Sequence, residues 1–478
     1  MPTITELQER YIHEETTPSQ VVKETLETIT EKDGEIQAYL SVFETEAREQ
    51  AQESDRRLAE GNPRSHLEGI PISIKDAILV QGQKTTSGSR MLENYTAPYD
   101  ATVIQKLTQA GAIILGKTNM DEFAMGSSTE NSAFQVTRNP HDPSRVPGGS
   151  SGGSAASVAA DMAVTSLGSD TGGSIRQPAA LTGVVGLKPT YGRVSRSGLI
   201  AMASSLDQIG PFSQTCLDAA QVLQVIEGQD DLDATSASLT GKRALDIEKI
   251  TNTDASTLTI GLPEEYFIEG LSPEVKQAVD EVIEQYKALG ATFKTISLPH
   301  SQYAISAYYI LMPAEVSTNL ARFDGIVYGL SHHQSASNLL EVYMENRSHG
   351  FGLESKRRIM LGTSVLSSGY YDDYYNKAKH IQKLITDDFT QAFAEVDAIL
   401  TPTTPHTAFP IGEKTDDPVA MYLEDVFTVA TNIAGIPGIS IPAPSDKLPI
   451  GFQLMTPHFD ENTLLGLGHA YDRHYRQS

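Results

Sequence analysis

Residues 147–157 read PGGSSGGSAAS, a glycine-rich run carrying four serines, and hydroxyls so placed raise the question of a nucleophile. Gly149-Ser150-Ser151-Gly152-Gly153 satisfies G-x-S-x-G, the nucleophile elbow, with Ser151 in the nucleophile slot. An elbow requires a buried strand leading straight into the serine, because the strained turn lifts the side chain off the sheet edge. The upstream residues are VTRNPHDPSRVPGG, with prolines at 140, 143 and 147, and these read as a loop. Nine histidines lie beyond Ser151, so a triad stays formally open. A Walker loop is excluded, since no Lys-Ser/Thr follows the glycines. The following SAASVAADMAV is alanine-rich and suits a helix. The run therefore reads as a loop entering a tightly packed helix with backbone N–H groups facing a site, as in an anion-holding nest.

A second cluster, GSDTGGSIRQPAA, occupies residues 168–180 and follows the strand-like MAVTSLGS. There Gly172-Gly173 allows close backbone approach, and the N–H groups of Thr171, Gly172, Gly173 and Ser174 could surround an oxyanion. Taken singly, such a cluster is more often a turn. Upstream, in GIPISIKDAILV, Ile70, Ile72 and Ile74 alternate as in a strand that ends at Lys75. A lysine at a strand end is usually solvated.

Elements able to position these residues are visible along the chain. Thr17-Pro18 supplies an N-cap and a first-turn proline to a helix with Val22, Leu26 and Ile29 on one face, ended by Gly34. Asp100 precedes a helix through Val103, Ile104 and Leu107; Gly111 stops it and AIILG follows as a strand. The same alternation returns at TLTIGL, then Ser272-Pro273 opening a helix, then ATFKTISL. This predicts an α/β fold with a large central mixed, largely parallel sheet covered by helices on both faces. Polar residues 229–256 read as a surface excursion and a place for a boundary. The late runs GISIPA and PIGFQLM argue instead that the C-terminal half returns to the same sheet. The expectation is a single domain over 1–478, with N-terminal helices to about 65, a catalytic core to about 228 and the remainder after it.

The 478 residues carry a formal net charge of −25, which gives poor affinity for a polyanion and argues against this chain as the main nucleic-acid contact. No stretch approaches the roughly 18 apolar residues of a membrane span, and the start lacks a signal-peptide pattern. The single cysteine, Cys216, rules out an internal disulfide and suits a reducing, cytoplasmic compartment. It reads as a small packed residue at a helix start. No H-E-x-x-H or paired C-x-x-C spacing occurs, so no metal is expected in this chain.

Lys75, Ser150 and Ser174, at spacings of 75 and 24 inside GIPISIKD, PGGSSGGSAA and GSDTGGSIRQPA, together resemble the amidase signature family. The resemblance runs along nearly the whole chain, including LKPTYGRVSRSGLI, SLDQIGPF and DAILTPTTP. KTNMDEFAMGSSTENSAF, RFDGIVYG, ESKRRIMLG and MYLEDVFTVATNIAGIPG are similar to the branch formed by the A subunits of glutamyl-tRNA(Gln) and aspartyl-tRNA(Asn) amidotransferases.

The resemblance implies a Ser-cisSer-Lys triad: Ser174 as nucleophile, Ser150 behind a cis peptide as relay, and Lys75 as base. Ser151 is then structural. Thr171, Gly172 and Gly173 would form the oxyanion hole, and Tyr309, Arg358 and Asp425 would read the α-carboxylate and α-ammonium of glutamine. Asp170 and Arg176 would be supports. It further implies a B subunit that binds the tRNA, uses ATP and Mg²⁺ and receives the ammonia, and a C subunit bridging A and B. No membrane anchor and no extra C-terminal domain are expected. The competing readings are a stand-alone small-amide amidase and a catalytically silent scaffold subunit. A lysine base must be neutral, whereas an ordinary lysine is neutral only about 0.04% of the time at pH 7, so burial is required of Lys75.

Overall fold

The structure, a computed structural model, describes residues 1–239, 244–267, 270–332 and 336–476. Eleven strands among them form one sheet: β1 Tyr39–Val42, β2 Pro71–Lys75, β3 Ile113–Thr118, β4 Thr165–Asp170, β5 Val185–Lys188, β6 Gln208–Ser213, β7 Thr259–Pro263, β8 Thr292–Ile296, β9 Ala398–Pro402, β10 Gly438–Ala443 and β11 Ile450–Met455. Their spatial order is β1-β3-β2-β4-β6-β5-β10-β11-β9-β7-β8. GISIPA and PIGFQLM are β10 and β11, and β10 pairs with β5 from the first half of the chain.

The sheet is mixed and flanked by helices, but its parallel part is smaller than expected. Among the described residues β2 runs parallel to β3 and β4, and β7 to β8 and β9; the other six pairings are antiparallel. The helix-then-strand signal is strong only at the two ends, where the parallel strands lie. The middle pairs strands distant in sequence, whose relative direction no local pattern encodes. One core cluster joins Ile72, Ile74, Leu167 and Leu187 of the sheet to Leu223 and Val279 of the helices. A second joins Leu311, Val316, Ile385, Phe389 and Ile433.

Local chemistry explains most element ends. Thr17 accepts a hydrogen bond from Gln20 N and Pro18 opens the helix Pro18–Ile36. That helix passes through Gly34 and ends at Gln37 in the left-handed region. A helical glycine costs only about 1 kcal/mol, and Asp33 Oδ1 ties the last turn by accepting from Ala38 N at 2.6 Å. Asp100 does not cap its helix, Thr102–Gln109; its carboxylate accepts from Gln81 N instead. Ser272 caps Pro273–Ala288 as expected. Cys216 is fully buried at the start of Cys216–Ile226, where a Cβ on Gly468 would lie 2.6 Å from its Sγ.

Of the polar stretch 229–256, residues 240–243 lie outside the described residues. The part before them is tied down: Asp233 pairs with Arg196 at 3.0 Å, and Asp230 accepts from the hydroxyls of Thr102 and Ser195.

All residues of β2, β3 and β4 are buried, so the polar side chains they carry need partners. Lys117 of β3 has one in Asp76, just past β2: Nζ to Oδ1 is 3.0 Å, and both side chains are buried. Asp76 also accepts from Thr86 N at 2.9 Å, and Lys117 donates to Thr85 Oγ1 at 2.9 Å. Removing one member of such a pair leaves the other charge uncompensated. Asp76→Ala should therefore lower stability by about 3–5 kcal/mol, read as a lower urea midpoint; an unchanged midpoint would contradict this account of the β2–β3 seam.

Candidate active site

Lys75 ends β2 with its side chain fully buried. Its Nζ donates to Ser150 Oγ and Ser151 Oγ, each at 2.7 Å, and to Ser169 Oγ at 3.0 Å. Ser169 belongs to β4, which runs beside β2; Ser150 follows a cis Gly149–Ser150 peptide bond and precedes the helix Gly152–Ala159. Burial pushes the Lys75 amine down to about 7, against the pull of Asp121, Asp170 and Asp207, which favour the charged form. These carboxylates have other duties. Asp121 accepts from Thr129 N and Asn131 N, and Asp207 from Thr171 Oγ1 and Met202 N.

The second cluster forms the turn between β4 and the helix Arg176–Thr182. Its organiser is Asp170, whose buried carboxylate meets Arg176 Nη2 and Nε at 3.0 Å and accepts from Gly173 N at 2.9 Å, Ile175 N at 3.2 Å and Asn432 Nδ2 at 2.8 Å. Burial alone would raise its pKa. Arg176, by charge and hydrogen bonds, together with Lys188 and Asn432, holds it at about 2. Arg176 continues to Thr428 O at 3.0 Å, so this pair joins the turn to the C-terminal half.

Ser174 sits on that turn with its carbonyl accepting from Ser151 N at 3.2 Å. Among the described residues its hydroxyl makes no hydrogen bond, and it keeps 9% of its surface exposed where Ser150 and Ser151 keep none. Of the three N–H groups expected to form the oxyanion hole, that of Gly173 is already engaged with Asp170. Those of Thr171 and Gly172, and also of Ser174, donate no hydrogen bond among the described residues. The glycines are required. A Cβ on Gly172 would lie 2.7 Å from the Tyr308 ring; Gly173 has φ +142, and its Cβ would lie 2.2 Å from Thr428 Oγ1.

Of the residues expected to read glutamine, Asp425 lies against this turn, and Tyr309 and Arg358 lie next to Tyr308, which touches Gly172. Asp425 is close enough that a Gly173 Cβ would stand 3.1 Å from its Oδ1. Its Oδ2 accepts from Ser127 Oγ at 2.7 Å, while Oδ1 is buried without a partner among the described residues. Burial raises its pKa to about 8, against the Ser127 hydrogen bond. Arg358, on the helix Leu353–Val365, is nearly buried and donates to Glu354 Oε1 at 2.7 Å. Its guanidinium lies 5.1 Å from the Tyr309 ring and 5.2 Å from that of Tyr422; the two rings stack at 3.9 Å. Tyr309 also meets Tyr308 edge-on at 5.1 Å. An unpartnered carboxylate oxygen and an arginine held on aromatic faces suit a small zwitterion.

Sequence reasoning missed several members. Ser151, expected to be structural, touches Lys75 as closely as Ser150 does; its adjacency in the same run was the available signal. Ser169, Ser127, Tyr308 and Tyr422 become neighbours only through the fold. Among the described residues no group of three or more His, Cys, Asp or Glu is placed to hold a metal ion, and no helix is long and apolar enough to cross a membrane.

A family model described as Amidase matches residues 20–465. The chain is 54% identical over 469 residues to the A subunit of glutamyl-tRNA(Gln) amidotransferase from Carboxydothermus hydrogenoformans, covering 98% of this chain and 96% of that protein. It is 56% identical to the protein of the same name from Koribacter versatilis, covering 93% and 92%. The crystal structure of the glutamyl-tRNA(Gln) amidotransferase A subunit from Thermotoga maritima superposes with a TM-score of 0.81 at 40% identity, over 99% of this chain and 95% of that one. The native peptide amidase of Stenotrophomonas maltophilia gives 0.83 at 29% identity, over 99% and 97%.

The geometry fixes one measurable property before any substrate is considered. In an NMR titration of labelled lysines, Lys75 should change charge near pH 7; a midpoint near the ordinary value of about 10.4 would contradict the assigned burial.

Proposed function

The chain belongs to the amidase family, and on that premise we propose that it is the glutamine-hydrolysing A subunit of a tRNA-dependent amidotransferase. The observation that carries the reading is the buried Lys75 amine on Ser150 Oγ at 2.7 Å, beside the turn that carries Ser174, whose hydroxyl is open. A neutral Lys75 accepts the proton of Ser150 as Ser150 takes that of Ser174, and Ser174 Oγ attacks the side-chain amide carbon of glutamine. The unbonded N–H groups of Thr171, Gly172 and Ser174 stand ready for the oxyanion; such a donor is worth about 3 kcal/mol. Gly173 N–H contributes by fixing Asp170 and so the turn. Lys75 returns the proton to the leaving nitrogen, ammonia departs, and water releases glutamate from the Ser174 ester.

In this reading Asp425 Oδ1 takes the α-ammonium of glutamine, and Arg358, backed by Tyr309, takes the α-carboxylate. An ammonium beside Asp425 offsets the burial that raises its pKa, so glutamine binding and ionisation of Asp425 support each other. Asp170 and Arg176 hold the nucleophile turn. The chain acts as one domain, in the cytoplasm, within a heterotrimer of A, B and C subunits. There the B subunit binds the tRNA, uses ATP and Mg²⁺ to activate the misacylated carboxyl group and receives the ammonia. The net charge of −25 supports leaving the tRNA to that partner. The product is Gln-tRNA(Gln), or Asn-tRNA(Asn) where the partner selects that tRNA.

Ser174→Ala should abolish glutamine-dependent transamidation by the assembled subunits while free ammonium still supports it; glutamine use surviving the change would overturn the nucleophile assignment. The pH profile carries a separate expectation. Below the Lys75 pKa of about 7 the amine is charged and cannot accept a proton, so kcat for glutamine should fall about tenfold per pH unit on the acid side and level off above it. A kcat independent of pH between 5.5 and 8.5, roughly a unit and a half either side of that value, would contradict a lysine base.

A further inference from the structure

Gln177, one turn past Ser174 on the helix Arg176–Thr182, is fully buried. Its amide has two partners of opposite kind: Oε1 accepts from Gly149 N at 3.0 Å, and Nε2 donates to Ser127 O at 2.9 Å. A backbone N–H only donates and a carbonyl only accepts, so the partners fix which end of the amide is which. Gly149 N–H belongs to the residue whose carbonyl forms the cis peptide with Ser150. Ser127 carries the hydroxyl that donates to Asp425 Oδ2 at 2.7 Å. The amide lies flush on the loop, because a Cβ on Gly148 would stand 2.4 Å from Gln177 Oε1. The main chain of Gln177 is tied to the nucleophile turn by its N–H to Gly173 O at 2.8 Å.

We infer that Gln177 is a positioning residue that couples the seat of the substrate ammonium to the Gly149–Ser150 peptide of the proton relay; the inference rests on the functional reading above. Hydrogen bonds run without a break from Asp425 through Ser127 and Gln177 to Gly149, the residue before Ser150. Within this path the covalent links are the Ser127 and Gln177 residues themselves. Every atom along it is buried, so a broken contact leaves a donor or acceptor unsatisfied with no water to replace it. No aliphatic side chain supplies both an acceptor for Gly149 and a donor for Ser127. A glutamine whose ammonium rests on Asp425 therefore stiffens the same segment that presents Ser150 to Lys75. Substrate recognition and relay geometry are set together.

The test is steady-state glutamine hydrolysis by the full chain assembled with its partner subunits, with ammonium-dependent transamidation confirming assembly. Ser127→Ala cuts only the limb to Asp425 and should raise KM for glutamine about tenfold with kcat within about threefold. Gln177→Met loses both limbs and should also lower kcat by about tenfold or more. Because Ser127 and Gln177 act through one path, the KM of Ser127→Ala combined with Gln177→Met should match that of Gln177→Met alone within about twofold. KM effects that multiply in the double variant, or a Gln177→Met chain with unchanged KM, would overturn the inference. If Gln177→Met does not assemble, Ser127→Ala still decides: an unchanged KM for glutamine in that variant overturns the inference. Absence of glutamine turnover in the unaltered chain overturns the functional reading on which the inference rests, whereas turnover with no KM effect in the variants overturns the inference alone.

Discussion

A lysine stripped of water and given hydroxyls in place of a carboxylate is the constraint around which this site is arranged. Two buried lysines, Lys75 at the end of β2 and Lys117 one residue before the end of β3, differ in their partners. Lys117 has Asp76 at 3.0 Å. Lys75 has Ser150, Ser151 and Ser169, and among the described residues no carboxylate lies within ion-pair distance. Moving a lysine from its ordinary pKa to about 7 corresponds to about 4–5 kcal/mol against the charged form. That cost falls on a strand buried along its whole length. It makes a proton acceptor at neutral pH, which a solvated lysine is not.

The rest of the structure keeps that arrangement in register. Lys75 and Ser169 come from adjacent parallel strands, so the sheet fixes their separation. Ser150 and Ser151 arrive on a loop held by Asp121, Thr129 and Gln177, with Asp121 N donating to Ser150 O at 3.2 Å. Asp170 gathers the N–H groups of Gly173, Ile175 and Arg176 into one carboxylate, and its partner Arg176 anchors the turn to the far half of the chain. The C-terminal half thus meets the turn that carries Ser174 twice: through Thr428 and Asn432, which bond Arg176 and Asp170, and through Asp425, which lies beside Gly173. A single sheet joining both halves brings together residues up to 350 positions apart, from Lys75 to Asp425.

Much of this was legible in the sequence where the signal is local. Strand alternation placed Lys75 at the end of β2, proline and N-cap chemistry placed the helices at Pro18 and Pro273, and two glycine-serine clusters marked both loops. Family resemblance supplied the order Lys75, Ser150, Ser174 and the candidates Tyr309, Arg358 and Asp425; the fold brings Asp425 against the turn and sets Tyr309 with Arg358 next to Tyr308, which touches Gly172. Contacts made across the sheet were not legible. Ser169 faces Lys75 because β4 lies beside β2, and the antiparallel middle of the sheet leaves no periodic trace of its direction. Gly34 misled because one glycine weakens a helix without ending it when neighbouring contacts hold the turn. That Asp170 holds Gly173 N–H was not legible either, since it depends on the turn closing back on its own strand.

On the proposed function, Ser174 and no other serine of the two runs takes the glutamyl chain. The most direct measurement is peptide mass mapping of the assembled protein after acid quenching during glutamine turnover. A glutamyl ester is expected on the peptide carrying Ser174, lost on alkaline treatment and absent without glutamine. An ester on Ser150 or Ser151, or turnover with no acylated serine at all, would contradict that assignment.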